Sequence, residues 1–208
     1  MDDLVEKALA RWPNVPAIAG WLKLSTQADW LLTGPVPEGL SISHSRILNF
    51  IARNYAADDQ GRYYFQNGPQ KVFVSLAYTP WVYRLYPLDN GHLMLATHTG
   101  LVVWPTAMYM DEQGRVLIES EEGIGLLHSA DMDLLARDLG DQDGVTVHDC
   151  TWEVPDEDPQ NLVTARVPLR KRVPISTGQR PCTLVVQPVD ADEVPDLFNF
   201  QQNPEVTS

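Results

Sequence analysis

The chain has 208 residues and an apolar content of 44%, enough to bury one large core or two small ones. Acidic residues outnumber basic ones 28 to 15, for a formal charge of −13, which argues against a general nucleic-acid or anionic-membrane surface because both need clustered cations. Its two cysteines, Cys150 and Cys182, are too few for a disulfide framework or a four-thiolate zinc site.

Two reduced thiols fit a cytoplasmic protein. The start, Met1-Asp2-Asp3-Leu4, lacks the positive flank and apolar core of a signal peptide. No stretch reaches membrane-spanning length. The expectation is a soluble, cytoplasmic protein of bacterial style.

Residues 2–12 read as a short amphipathic helix. Leu4, Val5, Ala8, Leu9 and Trp12 share a face, and Pro13 stops it. Trp21–Leu24 and Trp30–Leu32 flank the polar bend Ser25–Asp29, which predicts a hairpin. Residues 34–39, rich in Gly and Pro, form a loop. Residues 43–57 give the best helical pattern, with Ser43 as cap and Ile47, Leu48, Ile51 and Tyr55 as the buried stripe.

A dense β region follows. In Lys71–Tyr78, the residues Val72, Val74, Leu76 and Tyr78 alternate onto one face. Thr79-Pro80 breaks that strand. Trp81–Tyr86 and His92–Thr97 are joined by the turn Asp89-Asn90-Gly91. Leu101–Trp104, Ala107–Met110 and Val116–Glu119 are further strands. Ser129–Leu139 is a third helix, capped by Ser129. Beyond it, Val145–Val154, Leu162–Val167 and Thr183–Val189 read as irregular strands among prolines, and residues 199–208 as a mobile end.

One stretch recurs. Asp58-Asp59-Gln60-Gly61-Arg62 returns, 53 residues later, as Asp111-Glu112-Gln113-Gly114-Arg115. This is turn chemistry: Asp supplies an acceptor and Gly a positive φ. It predicts two tight hairpin turns at Gly61 and Gly114, and a partial internal duplication.

Catalytic signatures are absent. The histidines lack the i, i+4 zinc-protease spacing. His92 and His98 flank a strand and share a face, a weak acid–base or metal pair. His148 and Cys150 share a strand face, but nothing supplies an orienting group or an oxyanion hole. Gly123-Ile124-Gly125 lacks the third glycine of a dinucleotide loop, and Glu121 and Glu122 would face the pyrophosphate. No cofactor and no metal are expected. Arg166, Arg170, Lys171 and Arg172 form a basic run that could dock an acidic partner.

The aromatic region is the densest resource for recognition. Phe73, Trp81 and Tyr83, with Gln66, Asn67 and Gln70 as polar contacts, are the candidate ligand-binding residues. The competing reading makes the aromatics simple core.

The segments I-L-N-F-I-A-R-N-Y, D-x-x-G-R-Y-Y-F-Q-N-G-P-Q and T-P-W-V-Y-R-L resemble a family of uncharacterised proteobacterial proteins of unknown function, over about residues 12–140. Thr79-Pro80-Trp81-Val82 is similar to an element of a second unknown-function family, built from repeated helix-plus-sheet units, for which that resemblance implies a signalling role. Neither resemblance supplies catalytic residues.

The expected fold is α+β: a mainly antiparallel curved sheet over residues 15–119 packed against a few helices, with a β-rich C-terminal arm. The expected division is a core over residues 1–140 and a proline-rich region over residues 141–208. The function these residues favour is a non-enzymatic binding or regulatory module for a small molecule or protein segment. The alternatives are an unrecognised hydrolase using His92, His98 or His148, and an assembly protein, in which case the chain forms homo-oligomers.

Overall fold

A computed structural model of the chain describes residues 1–35, 39–87, 93–139, 150–152, 180–182 and 186–206. It divides into two units. The first comprises Met1–Pro80 and Pro195–Ser208, the second Trp81–Val194. The break falls at Pro80, not near residue 140. Among the described residues there are two sheets, one per unit, where the sequence pattern predicts one sheet over residues 15–119. The physical reason lies at Thr79-Pro80, where proline interrupts the ladder and Trp81 starts a new sheet.

In the first unit, α1 (Asp3–Arg11) is followed by β1 (Ile18–Leu24), β2 (Trp30–Leu32) and β3 (Leu40–Ser41). Next come α2 (Ser45–Arg53), β4 (Tyr55–Ala57), β5 (Tyr63–Asn67) and β6 (Gln70–Leu76). The sheet order is β3-β2-β1-β6-β5-β4, with β1 and β6 parallel and the other neighbours antiparallel. The hairpin expected around Ser25–Asp29 is present, with Leu22 opposite Leu32.

α2 is shorter than its hydrophobic pattern suggests. The Asn54 side chain donates back to the Phe50 carbonyl at 2.9 Å, and its backbone oxygen receives Gln66 N, so the chain leaves the helix for the ladder. Tyr55 therefore sits on a strand rather than in the helical stripe. His44, not Ser43, precedes α2, and it makes no side-chain cap. Of the expected stripe Ile51 and Tyr55 are buried, the latter from its strand, and Ile47 is exposed. Phe50 packs edge-on against Phe65, with ring centroids 5.5 Å apart, which lays α2 on the face of the sheet carrying Phe65 and Val72. In α1 only Val5 is buried, while Leu4 and Trp12 are exposed. Asp2, just before α1, is tied to the end of α2 by Arg53 at 3.0 Å and by a bond from its own N–H to Asn54 Oδ1 at 2.9 Å.

The C-terminal segment belongs to this unit and does not dangle from it. Phe200 is buried. Leu76 N donates to Gln202 O at 2.7 Å, and Gln201 N to Gly61 O at 3.0 Å. The Gln202 amide reaches Tyr78 O at 3.0 Å. These bonds tie down residues 199–205, which the sequence pattern reads as mobile.

The second unit holds β7 (Trp81–Pro87), β8 (Leu93–Thr97), β9 (Val102–Val103), β10 (Pro105–Asp111), β11 (Val116–Ser120) and β12 (Gly123–Leu127). A 3-10 turn (Ser129–Asp131) leads into α3 (Met132–Leu139), followed by β13 (Cys150–Trp152), β14 (Arg180–Cys182) and β15 (Val186–Val189). The sheet order among the described residues is β14-β13-β8-β7-β12-β11-β10-β15, with β9 on β8. His128, not Ser129, caps the 3-10 turn, accepting from Ala130 N at 3.1 Å. Gly123-Ile124-Gly125 is an ordinary strand, and Gly125 is obligatory because the Tyr83 ring occupies the space a Cβ would need. The ladder sets Cys150 opposite Cys182. The Asp89-Asn90-Gly91 turn, the run Arg166–Arg172, Leu162–Val167, His92 and His148 lie outside the described residues.

The recurrent turns share one geometry. Asp58 Oδ1 accepts from the N–H groups of Gln60 and Arg62 at 3.1 and 3.0 Å, and its Oδ2 accepts from Arg62 Nε at 2.9 Å. Asp111 repeats this with Gln113, Arg115 and Arg115 Nε at 3.0, 2.9 and 2.6 Å. Gly61 and Gly114 take φ of 71° and 73°. Every residue pair from β4 through β6, from Tyr55↔Phe65 to Asn67↔Gln70, has its counterpart 53 residues on, from Met108↔Ile118 to Ser120↔Gly123. In both units the last strand of this meander runs parallel to the first strand of the unit, β6 beside β1 and β12 beside β7.

Candidate functional site

The two faces of the first sheet differ in chemistry. Leu22, Leu24, Phe65, Val72, Val74 and Leu76 point to the side that α2 covers, and all are buried. The opposite face follows by alternation. Tyr64 stands opposite Phe73, and Gln66 opposite Lys71. Lys23 stands opposite Ser75, and Trp21 precedes it by two residues.

This face stacks cations on rings. The Arg62 guanidinium lies 4.5 Å from the Phe73 ring centre. The Lys71 ammonium lies 4.2 Å from the Tyr64 ring centre and 5.8 Å from that of Phe73. Such contacts are worth about 0.5–1 kcal/mol each where water has access. Together they cover Phe73, which is 3% exposed although it points away from the helical side. Trp21 is 45% exposed and lies flat across Gly34, where a Cβ would strike its ring.

The charges are unequally satisfied. Arg62 is paired with Asp58 at 2.8 Å. Burial opposes ionisation of Asp58, but bonds from the Arg62 side chain and from the N–H groups of Arg62 and Gln60 outweigh it and hold the carboxyl below its usual pKa. Among the described residues, neither Lys23 nor Lys71 has a carboxylate within ion-pair distance. At the matching register of the second sheet, Tyr64, Lys71 and Phe73 are replaced by Leu117, Ile124 and Leu126, all buried. Among the described residues, the cationic–aromatic surface thus belongs to the first unit and has no counterpart at the matching register of the second.

The six candidate binding residues fall into three groups. Gln66 and Phe73 share the face just described. Asn67 and Gln70 stand opposite each other on the other face, and Gln70 Nε2 reaches Pro16 O at 3.4 Å. Gln66 is buried and donates to Gly68 O at 2.9 Å, holding its own turn. Trp81 and Tyr83 are in the second unit and are buried with their polar tips satisfied. Trp81 Nε1 donates to Glu122 O at 2.7 Å. The Tyr83 hydroxyl bonds Ser120 Oγ and Gly123 O, both at 2.7 Å. Sequence reasoning passed over Trp21, Lys23, Arg62, Tyr64 and Lys71 as site residues. Their local signal is weak, because a lysine or an aromatic on a strand reads as solvated or core until its cross-strand neighbours are known.

Of the histidine candidates His92, His98 and His148, His98 alone lies among the described residues. His98 is buried, accepts from Val82 N at Nδ1 over 3.2 Å and packs against the Trp81 ring, and burial pushes its pKa down to about 3. It is a neutral core histidine over the working pH range. Among the described residues, no three His, Cys, Asp or Glu side chains are placed to share a metal ion. No described helix is long and apolar enough to cross a membrane.

Comparison with solved structures finds two proteins of the DUF1285 family. One, from Silicibacter pomeroyi DSS-3, is 15% identical with a TM-score of 0.45, over 69% of this chain and 88% of the other. The second, from Shewanella baltica OS155, is 18% identical with a TM-score of 0.42, over 57% of this chain and 91% of the other. No curated protein matches the chain. A family model matches residues 1–205, well beyond the stretch on which the sequence resemblance rests. The chain belongs to the family DUF2944, described as "Protein of unknown function (DUF2946)".

Proposed function

We propose that this protein is a non-enzymatic binding module whose first sheet docks an acidic segment of a partner protein. One observation carries the reading. On a chain of net charge −13, Lys23 and Lys71 have no carboxylate partner among the described residues, and they share a sheet face with Trp21, Tyr64 and Phe73. A positive, ring-lined patch attracts anions, while the acidic remainder of the surface repels them and confines an acidic ligand to that patch.

The spacing favours an extended ligand over a small anion. Lys23 is level with Ser75, and Lys71 lies four residues further back along β6, so the two positions are about 13 Å apart along the strand at 3.3 Å per residue. Carboxylates four residues apart in an extended peptide span that distance and lie on one face of it. Trp21 offers the exposed ring against which an apolar residue of such a peptide packs. Gln66 and Phe73 support the surface from below; Trp81 and Tyr83 are not part of it.

The recurrent register supports a second element of the proposal: the meanders β4–β6 and β10–β12 are copies of one ancestral unit, of which the first acquired the cationic face. A fluorescence titration tests the binding reading, using a labelled peptide of alternating Glu and Leu with one Trp. Lys71→Gln and Lys23→Gln should each weaken binding while leaving the melting temperature near that of the parent. Wild-type protein that fails to bind acidic peptides, yet binds neutral ones, would overturn it.

A further inference from the structure

We infer that the outer edge of β4 is a strand-addition site for an extended, apolar segment of a partner protein. The second unit shows the arrangement filled. There Val186–Val189 runs parallel to β10, with Met108 opposite Val186 and Met110 opposite Pro188. Asp111 N donates to Arg115 O, toward β11. Alternation turns the backbone groups of Met108 and Met110 the other way, toward β15. In a parallel ladder those groups bond to the residues flanking their partners, so Met110 engages Gln187 and Val189. Pro188 sits where no N–H is asked of it.

β4 occupies the same place in the first unit. Tyr55, Ala56 and Ala57 pair with β5 in the register that Met108, Tyr109 and Met110 use with β11. Asp58 N donates to Arg62 O, and Gln66 N to Asn54 O. Asn54, Ala56 and Asp58 therefore face β5, and Ala57 turns its N–H and C=O outward. Among the described residues β4 ends its sheet, and Ala57 is exposed. Tyr-Ala-Ala carries none of the charges, prolines or bulges that usually guard an edge. Main-chain bonding gives such an edge its affinity, and side chains at alternate positions give its selectivity. The occupant of the matching edge, Val-Gln-Pro-Val, sets the expected chemistry: apolar residues flanking a position that tolerates proline. This inference does not depend on the acidic-segment reading, because it concerns the edge and not the cationic face.

The test uses the full chain and a labelled peptide of residues 186–192 as probe, followed by fluorescence anisotropy. Ala57→Pro removes the outward N–H and spares the β5 ladder. It should leave the melting temperature nearly unchanged and weaken the peptide by about tenfold or more, the weight of one or two ladder bonds. A peptide carrying Gln187→Pro should fail, since it lacks a ladder donor. Should Ala57→Pro not fold, Ala57→Lys, which guards the edge with a charge, gives the same readout. No binding by the wild type, or equal binding by the folded variant, overturns the inference. Self-association of the wild type that Ala57→Pro abolishes also overturns it, by assigning the edge to a second copy.

Discussion

The carbonyl oxygen of Asn199 lies where a Cβ on Gly61 would have to go, whereas the matching Gly114 looks onto open space. Both glycines hold a left-handed φ near 70°. One turn therefore needs glycine for its backbone alone, the other for its backbone and for the segment packed on it. Gly114→Ala should cost about 1 kcal/mol or more, the strain of a Cβ at positive φ. Gly61→Ala should cost clearly more, because Asn199 must move as well and the bond from Gln201 N to Gly61 O is disturbed. Urea denaturation of the two variants checks the order.

Arg84 and Asp131 predict a second ranking. Asp131 is buried and accepts from Arg84 Nε at 2.6 Å, from Arg84 Nη2 at 3.1 Å and from Leu85 N at 3.0 Å. Asp131→Ala should destabilise by about 3 kcal/mol, since it strands a cation and a backbone donor together. Asp131→Asn, which keeps an acceptor, should cost less. Equal losses would mean that packing, not the bonds, sets the cost.

His98 gives the protein an acid sensitivity with a defined direction. Its folded pKa, about 3, lies below the ordinary value of 6.5. Between those values the unfolded chain binds a proton that the folded chain refuses. Stability from His98 is therefore complete above about pH 6.5 and is lost as pH falls toward 3. Asp58 acts in the same direction but at lower pH, because its carboxyl is held below its usual pKa. The melting temperature should fall between pH 7 and pH 5 in the wild type and change less in His98→Gln. A parallel fall in both proteins would show that other groups dominate.

Core and surface residues on β6 and β7 should separate cleanly. Leu76→Ala should cost roughly 2–5 kcal/mol, as a buried large-to-small change. Trp81→Ala and Tyr83→Ala should be as damaging, given their burial and their bonds to Glu122, Ser120 and Gly123. Lys71→Gln should lose only the cation–π contacts, about 1 kcal/mol. Thermal melts of the four variants provide the comparison.

Local chemistry was readable in the sequence and long-range pairing was not. The turns at Gly61 and Gly114 follow from Asp and Gly within five residues, and both are present with matching bonds. The β1–β2 hairpin and the alternation of Val72, Val74 and Leu76 were also visible. The end of α2 was not, because the apolar spacing of Ile47, Leu48, Ile51 and Tyr55 runs on through Asn54, whose side chain stops the helix. The split at Pro80 depends on β6 pairing with β1 rather than with β7, about fifty residues distant in sequence, which no local pattern encodes. At the candidate site, Phe73 and Gln66 were legible as an aromatic and an amide facing away from the core. Lys23 and Lys71 were not, since a lysine on a strand reads as solvated until its neighbours across two strands are known.

The central claim is that Lys23 and Lys71 present an acid-binding surface, and calorimetric titration tests it most directly. The acidic peptide should be titrated into wild-type, Lys71→Gln, Lys23→Gln and doubly substituted protein at low salt and again at about 0.3 M salt, where exposed charges are largely screened. The account predicts that each substitution weakens binding, that the double variant binds least, and that salt weakens the wild type far more than the double variant. Equal affinity in all four proteins, or binding indifferent to salt, would contradict it.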